Sequence, residues 1–187
     1  MSAPVACVPM TARPSLSPRR VVLVGPMGSG KSTVGRALAQ RLGLGHVDTD
    51  DMVVNNTGRP ISEIFESDGE EAFRSLETGA LESALSGNSV VSTGGGVVVT
   101  EENRAMLQAS DALVVWLDGT IDALVKRVGS GRSRPLLGED VRGSLQQKLA
   151  ERGPGYLEVA DLRVDTSEMR HADCVDAIVA ALEGVCL

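Results

Sequence analysis

A three-layer α/β fold, a five-stranded parallel sheet with helices on both faces, is predicted from three features of the sequence. Five short apolar runs (Val21–Val24, Gly45–Val47, Ser89–Ser92, Ala112–Leu117 and Leu162–Val164) alternate with segments of helical character. Such strands, with little apolar–polar alternation, are those of a sheet buried on both sides. The length, 187 residues, suits one α/β domain and is too short for two full-sized ones. Finally, 42% hydrophobic and 23% charged residues are the balance of a globular chain, and nowhere does an uncharged run approach the ~18 residues of a membrane helix.

Residues 1 to about 18 are rich in Pro, Ser and Ala and have no period, so they are expected to be a flexible tail before a single domain over 19–187. They have neither the basic start nor the apolar stretch of a signal peptide. Val21–Val24 is the first strand, followed by glycines and a helical stretch over Lys31–Leu42. Gly45–Val47 runs into the acidic turn Asp48-Thr49-Asp50. Residues 50–86 read as helices broken near Asn55–Pro60 and Ser67–Gly69. The strand Ser89–Ser92 ends in Gly94-Gly95-Gly96, and Glu101–Gln108 is a helix. After Ala112–Leu117, Ile121, Leu124, Val125 and Val128 share one helical face. Residues 129–140 form a Gly/Arg/Pro loop. A helix over 141–152, the strand Leu162–Val164 and a helix over Ala172–Leu182 complete the chain.

Composition narrows the chemistry. The net charge of −7 disfavours nucleic-acid backbones and anionic membrane surfaces as partners. Aromatics are 2% of the chain, too few for base-stacking platforms. Cys7, Cys174 and Cys186 are far apart and form no zinc spacing with His46 and His171, so they read as unpaired thiols of a cytoplasmic protein. No G-x-S-x-G elbow is present, and neither histidine has the context of a hydrolase triad.

The segment Gly25-Pro26-Met27-Gly28-Ser29-Gly30-Lys31-Ser32 matches G-x-x-x-x-G-K-[ST] and lies between a strand and a helix, as a phosphate loop must. Its glycines let successive backbone N–H groups point at phosphates, and the helix N-terminus adds its dipole. Gly28, Ser29, Gly30, Lys31, Ser32 and Thr33 are therefore the candidate ATP-binding residues. Lys31 would reach the β- and γ-phosphates, and the Ser32 hydroxyl would ligate Mg²⁺. No N-K-x-D base-reading motif is present, and the strand at Val90-Val91 ends in Ser-Thr-Gly-Gly-Gly without an acid. The size and these absences fit a small-molecule kinase. Asp48 and Asp50 fall at the carboxyl edge of the second strand, where open α/β sheets bind ligands. One of them is suited to help hold Mg²⁺ near Ser32 and the other to align a substrate hydroxyl; the competing reading for Asp48 is a helix N-cap.

Taken together and in order, GPMGSGKST (25–33), DTD (48–50), DGEEAFRSLE (68–77), STGGG (92–96), SRPLL (133–137) and ERGPGY (151–156) make the chain resemble shikimate kinase over roughly residues 19–183. The resemblance implies a nucleoside-monophosphate-kinase-like P-loop fold with a mobile lid at about 129–140 and a substrate-binding helical segment at about 49–86. It implies transfer of the γ-phosphoryl of ATP to the 3-hydroxyl of shikimate, with Mg²⁺, in aromatic amino-acid synthesis. It assigns Asp48 to the metal with Ser32, Asp50 to the substrate hydroxyl, and Arg74 and Arg152 to the substrate carboxylate. Gly94, Gly95 and Gly96 would lie against the substrate ring, Arg127 against adenine, and Arg134 of the lid on the transferring phosphoryl, with Arg132 as its assistant. Glu77, three residues after Arg74, is placed to hold that side chain. The family further implies a cytoplasmic monomer. The sequence departs from the family at Gly155, expected to loosen the helix after Arg152, and at Ser167–Asp173, where Arg170 is shifted and no Pro occurs. Rival readings are a gluconate kinase of similar architecture and a nucleotide-gated module without turnover.

Overall fold

The computed structural model describes residues 7–9, 20–129 and 140–184. Five parallel strands form the sheet: β2 (Val21–Val24), β3 (Gly45–Asp48), β4 (Ser89–Ser92), β5 (Leu113–Asp118) and β6 (Leu162–Asp165). A sixth strand, β1 (Cys7–Pro9), pairs antiparallel with β6, so the full order is β1-β6-β5-β2-β4-β3. β1 was not expected. It is a three-residue piece without a pattern of its own, and its ladder partners come from the free edge of β6.

Alternating strand residues feed two cores. Val21, Leu23, Val115 and Leu117 face α1 (Lys31–Leu42) and α8 (His171–Leu182), packing on Val34, Leu38, Val175 and Ile178. Val22, Val24, Val114 and Trp116 face the other way. They pack on Leu81 of α4 (Gly69–Ser86), Leu107 of α5 (Glu101–Ala109) and Tyr156 of α7 (Val141–Val159). This is the expected sheet with helices on both faces. Two smaller helices, α2 (Thr49–Thr57) and α3 (Ile61–Ser67), lean on α4 through Val53, Ile64, Phe73 and Ala80. The last, α6 (Ile121–Val128), packs Leu124 and Val128 against Leu145 of α7. None of the helices among the described residues is long and apolar enough to cross a membrane.

Helix limits follow local chemistry. The helix α1 stops at Gly43, whose left-handed backbone (φ 67°) turns its N–H back to the carbonyls of Ala39 and Gln40. Asp140 caps α7 by accepting from Gly143 N–H at 2.8 Å. That helix continues to Val159, past the expected end near 152, with Pro154 inside it. Gly155 does not break it. A Cβ on Gly155 would stand 3.0 Å from Val98 Cβ and 3.1 Å from Val98 O, so the missing side chain is what lets α7 approach the turn after β4.

Candidate active site

The carboxyl ends of β2, β3 and β4 open into one cleft of about 890 Å³. β2 and β4 are neighbours although β3 lies between them in sequence, so the chain switches direction across the sheet here, and a ligand crevice is expected at such a point. The cleft is lined by the phosphate loop, both aspartates of the acidic turn, Arg74, Glu77, Gly94–Gly96, Arg127 and Arg152.

At the phosphate loop Gly25 (φ 138°) passes so close to the Leu117 carbonyl that any Cβ would overlap it, and Gly28 and Gly30 also take positive φ. The loop thus turns tightly enough to begin α1 at Lys31. The Lys31 ammonium donates to the carbonyls of Gly25 (2.8 Å) and Pro26 (2.9 Å), spanning the loop. Behind it, Ser92 Oγ donates to the Lys31 carbonyl at 3.0 Å and meets His46 Nε2 at 3.0 Å. The Ser92–Lys31 bond ties the start of α1 to β4, the His46 contact joins β3 to the same serine, and burial holds the imidazole below its ordinary pKa. The Ser29 hydroxyl is buried with no hydrogen-bond partner among the described residues.

Ser32 Oγ donates to Asp48 Oδ2 at 2.7 Å, while Asp48 Oδ1 accepts from the Asp50 N–H at 3.1 Å. Asp48 thus caps α2 with one oxygen and faces Ser32 of the phosphate loop with the other. Two hard oxygens in contact beside the loop suit Mg²⁺, which takes few protein ligands and fills its octahedron with phosphate oxygens and water. Asp50 points elsewhere, to Gly94. A Cβ there would be 2.6 Å from Asp50 Oδ1 and 2.7 Å from Glu77 Oε1. Burial, with the charges of Asp48 and Glu77, pushes the Asp50 carboxyl up to about 6. It remains mostly ionised at neutral pH yet is a better base than an ordinary aspartate.

The opposite wall holds the arginines. Arg74 on α4 donates to Glu77 Oε2 at 2.6 Å and to Glu70 Oε1 at 2.9 Å. Glu77 does hold Arg74, as the i+3 spacing suggests, and is itself buried at 1% exposure, its Oε1 without a hydrogen-bond partner among the described residues. Burial raises its pKa against the pull of Arg74. A Cβ on Gly96 would overlap the Arg74 guanidinium. Arg152, from α7, donates to the Gly95 carbonyl at 3.1 Å, and the Tyr156 hydroxyl donates to the same oxygen. Burial pushes the Tyr156 hydroxyl up to about 12, so it stays a donor. A side chain would be in the way at Gly94, against Asp50 and Glu77, and at Gly96, against the Arg74 guanidinium, whereas at Gly95 a Cβ would meet its neighbours at 3.4 Å or more.

At the far end Arg127 donates to Thr166 Oγ1 (2.8 Å) and to the Thr166 carbonyl, pinning the turn after β6. Arg170 in that turn is committed to Asp173 at 2.9 Å and exposed. Arg132, Arg134 and most of the 129–140 segment lie outside the described residues. The sequence reading missed Lys148 and His171, which also line the cleft; the helical register of Lys148 with Arg152 was the available signal.

A phosphate loop on a parallel sheet, two carboxylates at the next strand end and an arginine-lined acceptor wall define a P-loop phosphotransferase for a small molecule. The family model for shikimate kinase matches residues 27–183. The chain is 47% identical over 143 residues to the shikimate kinase of Synechococcus elongatus, covering 76% of this chain and 74% of that one. It is 44% identical over 171 residues to that of Halorhodospira halophila, covering 90% and 96%. Its structure is similar to the shikimate kinase of Acinetobacter baumannii in complex with shikimate, with a TM-score of 0.85 and 35% identity over 92% of this chain and 97% of that one. The chain belongs to the shikimate kinase family.

Proposed function

We propose that the protein transfers the γ-phosphoryl group of ATP to the 3-hydroxyl of shikimate, releasing shikimate 3-phosphate and ADP. The observation that carries this reading is the placement of Asp50 between a phosphate loop and two arginines that converge on Gly95 and Gly96. Phosphate donor, acceptor hydroxyl and acceptor carboxylate each have a suitable partner in one cleft.

The phosphate loop and Lys31 bind the nucleotide phosphates, and Arg74 and Arg152 grip the carboxylate as planar forks. The hydroxyl is thereby set in line with the γ-phosphorus. Asp50 accepts the hydroxyl proton as the new O–P bond forms and the bond to ADP breaks. Ser32 and Asp48 would hold Mg²⁺, which when bound neutralises phosphate charge. Arg127 braces the nucleotide end through Thr166, and Arg134 stabilises charge on the transferring group.

The test is ADP release in a coupled assay with ATP–Mg²⁺, with and without shikimate. Turnover dependent on shikimate and absent with gluconate is expected. Gluconate-dependent turnover would assign the cleft to another acid, and nucleotide binding without turnover would make it a regulatory module.

A further inference from the structure

Among the described residues six lysine and arginine side chains line the cleft: Lys31, Arg36, Arg74, Arg127, Lys148 and Arg152. Lys31, Arg74, Arg127 and Arg152 hold carbonyls, a hydroxyl or carboxylates. Arg36 is exposed. Lys148 is half-buried and, among the described residues, has no hydrogen bond or ion pair. The acids beside it are engaged: Glu70 with Arg74 at 2.9 Å, and Glu151 with Gln147 at 2.8 Å.

Its place on α7 is specific. Leu145, Lys148, Arg152 and Tyr156 follow one another at helical spacing, and all line the cleft. Leu145 packs with Met27 of the phosphate loop, while Arg152 and Tyr156 reach Gly95. Lys148 also lines a neighbouring cavity of about 440 Å³, and the residues shared by the two are Glu70, Lys148 and Arg152. Lys148 therefore stands at the Arg74–Arg152 end. Positive charge is short there: Glu70 and Glu77 both pair with Arg74, Arg152 donates to the Gly95 carbonyl, and the Asp50 carboxyl lies beside Glu77. Two guanidiniums among these three acids, Asp50, Glu70 and Glu77, leave little attraction for an incoming carboxylate, and Lys148 adds positive charge to that end.

We propose that Lys148 is a third cation of the substrate-carboxylate site, a point charge that attracts the acid while the two guanidinium forks orient it. This rests on reading the Arg74–Arg152 end as the carboxylate end. Lys148→Met keeps the stem length and removes the charge. The expected result is a KM for shikimate raised roughly 5- to 20-fold, weakened further by salt in the parent than in the variant, with kcat and the KM for ATP within about twofold. Lys148→Arg should restore most of the affinity, and the parent-to-variant difference should vanish for the shikimate carboxamide, which lacks the charge. A thermal melt and an unchanged KM for ATP establish that the variant is folded. An unchanged shikimate KM in Lys148→Met alongside a raised one in Arg152→Ala overturns the inference alone. No change in either overturns the reading of that end. A raised KM for ATP instead assigns Lys148 to the nucleotide and also overturns it.

Discussion

Asp50 is costly to the fold and useful to the reaction, and both follow from its burial beside Asp48 and Glu77. Its pKa of about 6 in the folded chain exceeds the ordinary 3.8. A raised carboxyl pKa gives stability that is fully present below the unfolded value and is lost as pH rises through the folded one. In metal-free protein Asp50→Asn should thus raise Tm at pH 7, by up to about 3 kcal/mol of stability, and the gain should fade as pH falls from 6 toward 4. The same variant should lower kcat roughly 10²- to 10⁴-fold with nucleotide binding retained. A variant no more stable than the parent at pH 7 would show that Asp50 is well solvated. On the facing wall, Arg74→Ala and Arg152→Ala should each raise the KM for shikimate about 30- to 1,000-fold, since a charged hydrogen bond to a carboxylate is lost. Steady-state kinetics with ATP saturating reads this directly.

Two glycines show how whole elements are positioned, and they fail in opposite ways. A Cβ on Gly96 meets only the end of the Arg74 side chain, which is able to swing aside. Gly96→Ala should therefore leave Tm within a few degrees of the parent and raise the KM for shikimate, because the guanidinium is displaced. A Cβ on Gly155 meets Val98 Cβ, Cγ2 and O at 3.0–3.1 Å, so the body of α7 must back away from the turn after β4. Gly155→Ala should cost roughly 1–3 kcal/mol. It should lower Tm and shikimate affinity together, since Arg152 and Tyr156 ride on the same helix. Melting curves beside kinetics for both variants separate the two outcomes; equal losses of Tm would show that Gly96 also supports packing.

At the scale of the molecule, the cleft joins the strand ends of a sheet sandwiched between two cores, so ligands that bind only the folded state stabilise all of it. A ligand at a hundred times its dissociation constant adds about 2.7 kcal/mol, roughly 5–10 °C in Tm for a domain of this size. Shikimate and ADP–Mg²⁺ should each raise Tm by that order. Arg152→Ala should lose the shikimate shift and keep that of ADP, and Lys31→Ala should do the reverse. Differential scanning fluorimetry with each ligand is sufficient, and a variant that loses both shifts would show that the two ends are not independent.

Much of this was legible in one dimension because the chemistry is local in the chain. The phosphate loop, the acidic turn and the three glycines are contiguous, and their strand and helix context follows from apolar runs and helical spacing. The parallel sheet was legible for the same reason. What only the tertiary structure decided depends on groups far apart in sequence. Asp48 serves both its helix and Ser32 because β3 is brought beside α1. The Asp50 carboxyl is raised because the fold buries it, with Asp48 and Glu77 alongside. The helix α7 runs on through Gly155, which was expected to loosen it, and the missing side chain there lets the helix lie against Val98. Cys7–Pro9 becomes a strand because β6 offers a free edge. Lys148 stands out only once the neighbouring charged side chains at its end of the cleft are seen to hold partners, Arg74 on Glu70 and Glu77 and Arg152 on the Gly95 carbonyl. Burial and cross-chain contact set these outcomes, and neither is a property of a local stretch of sequence.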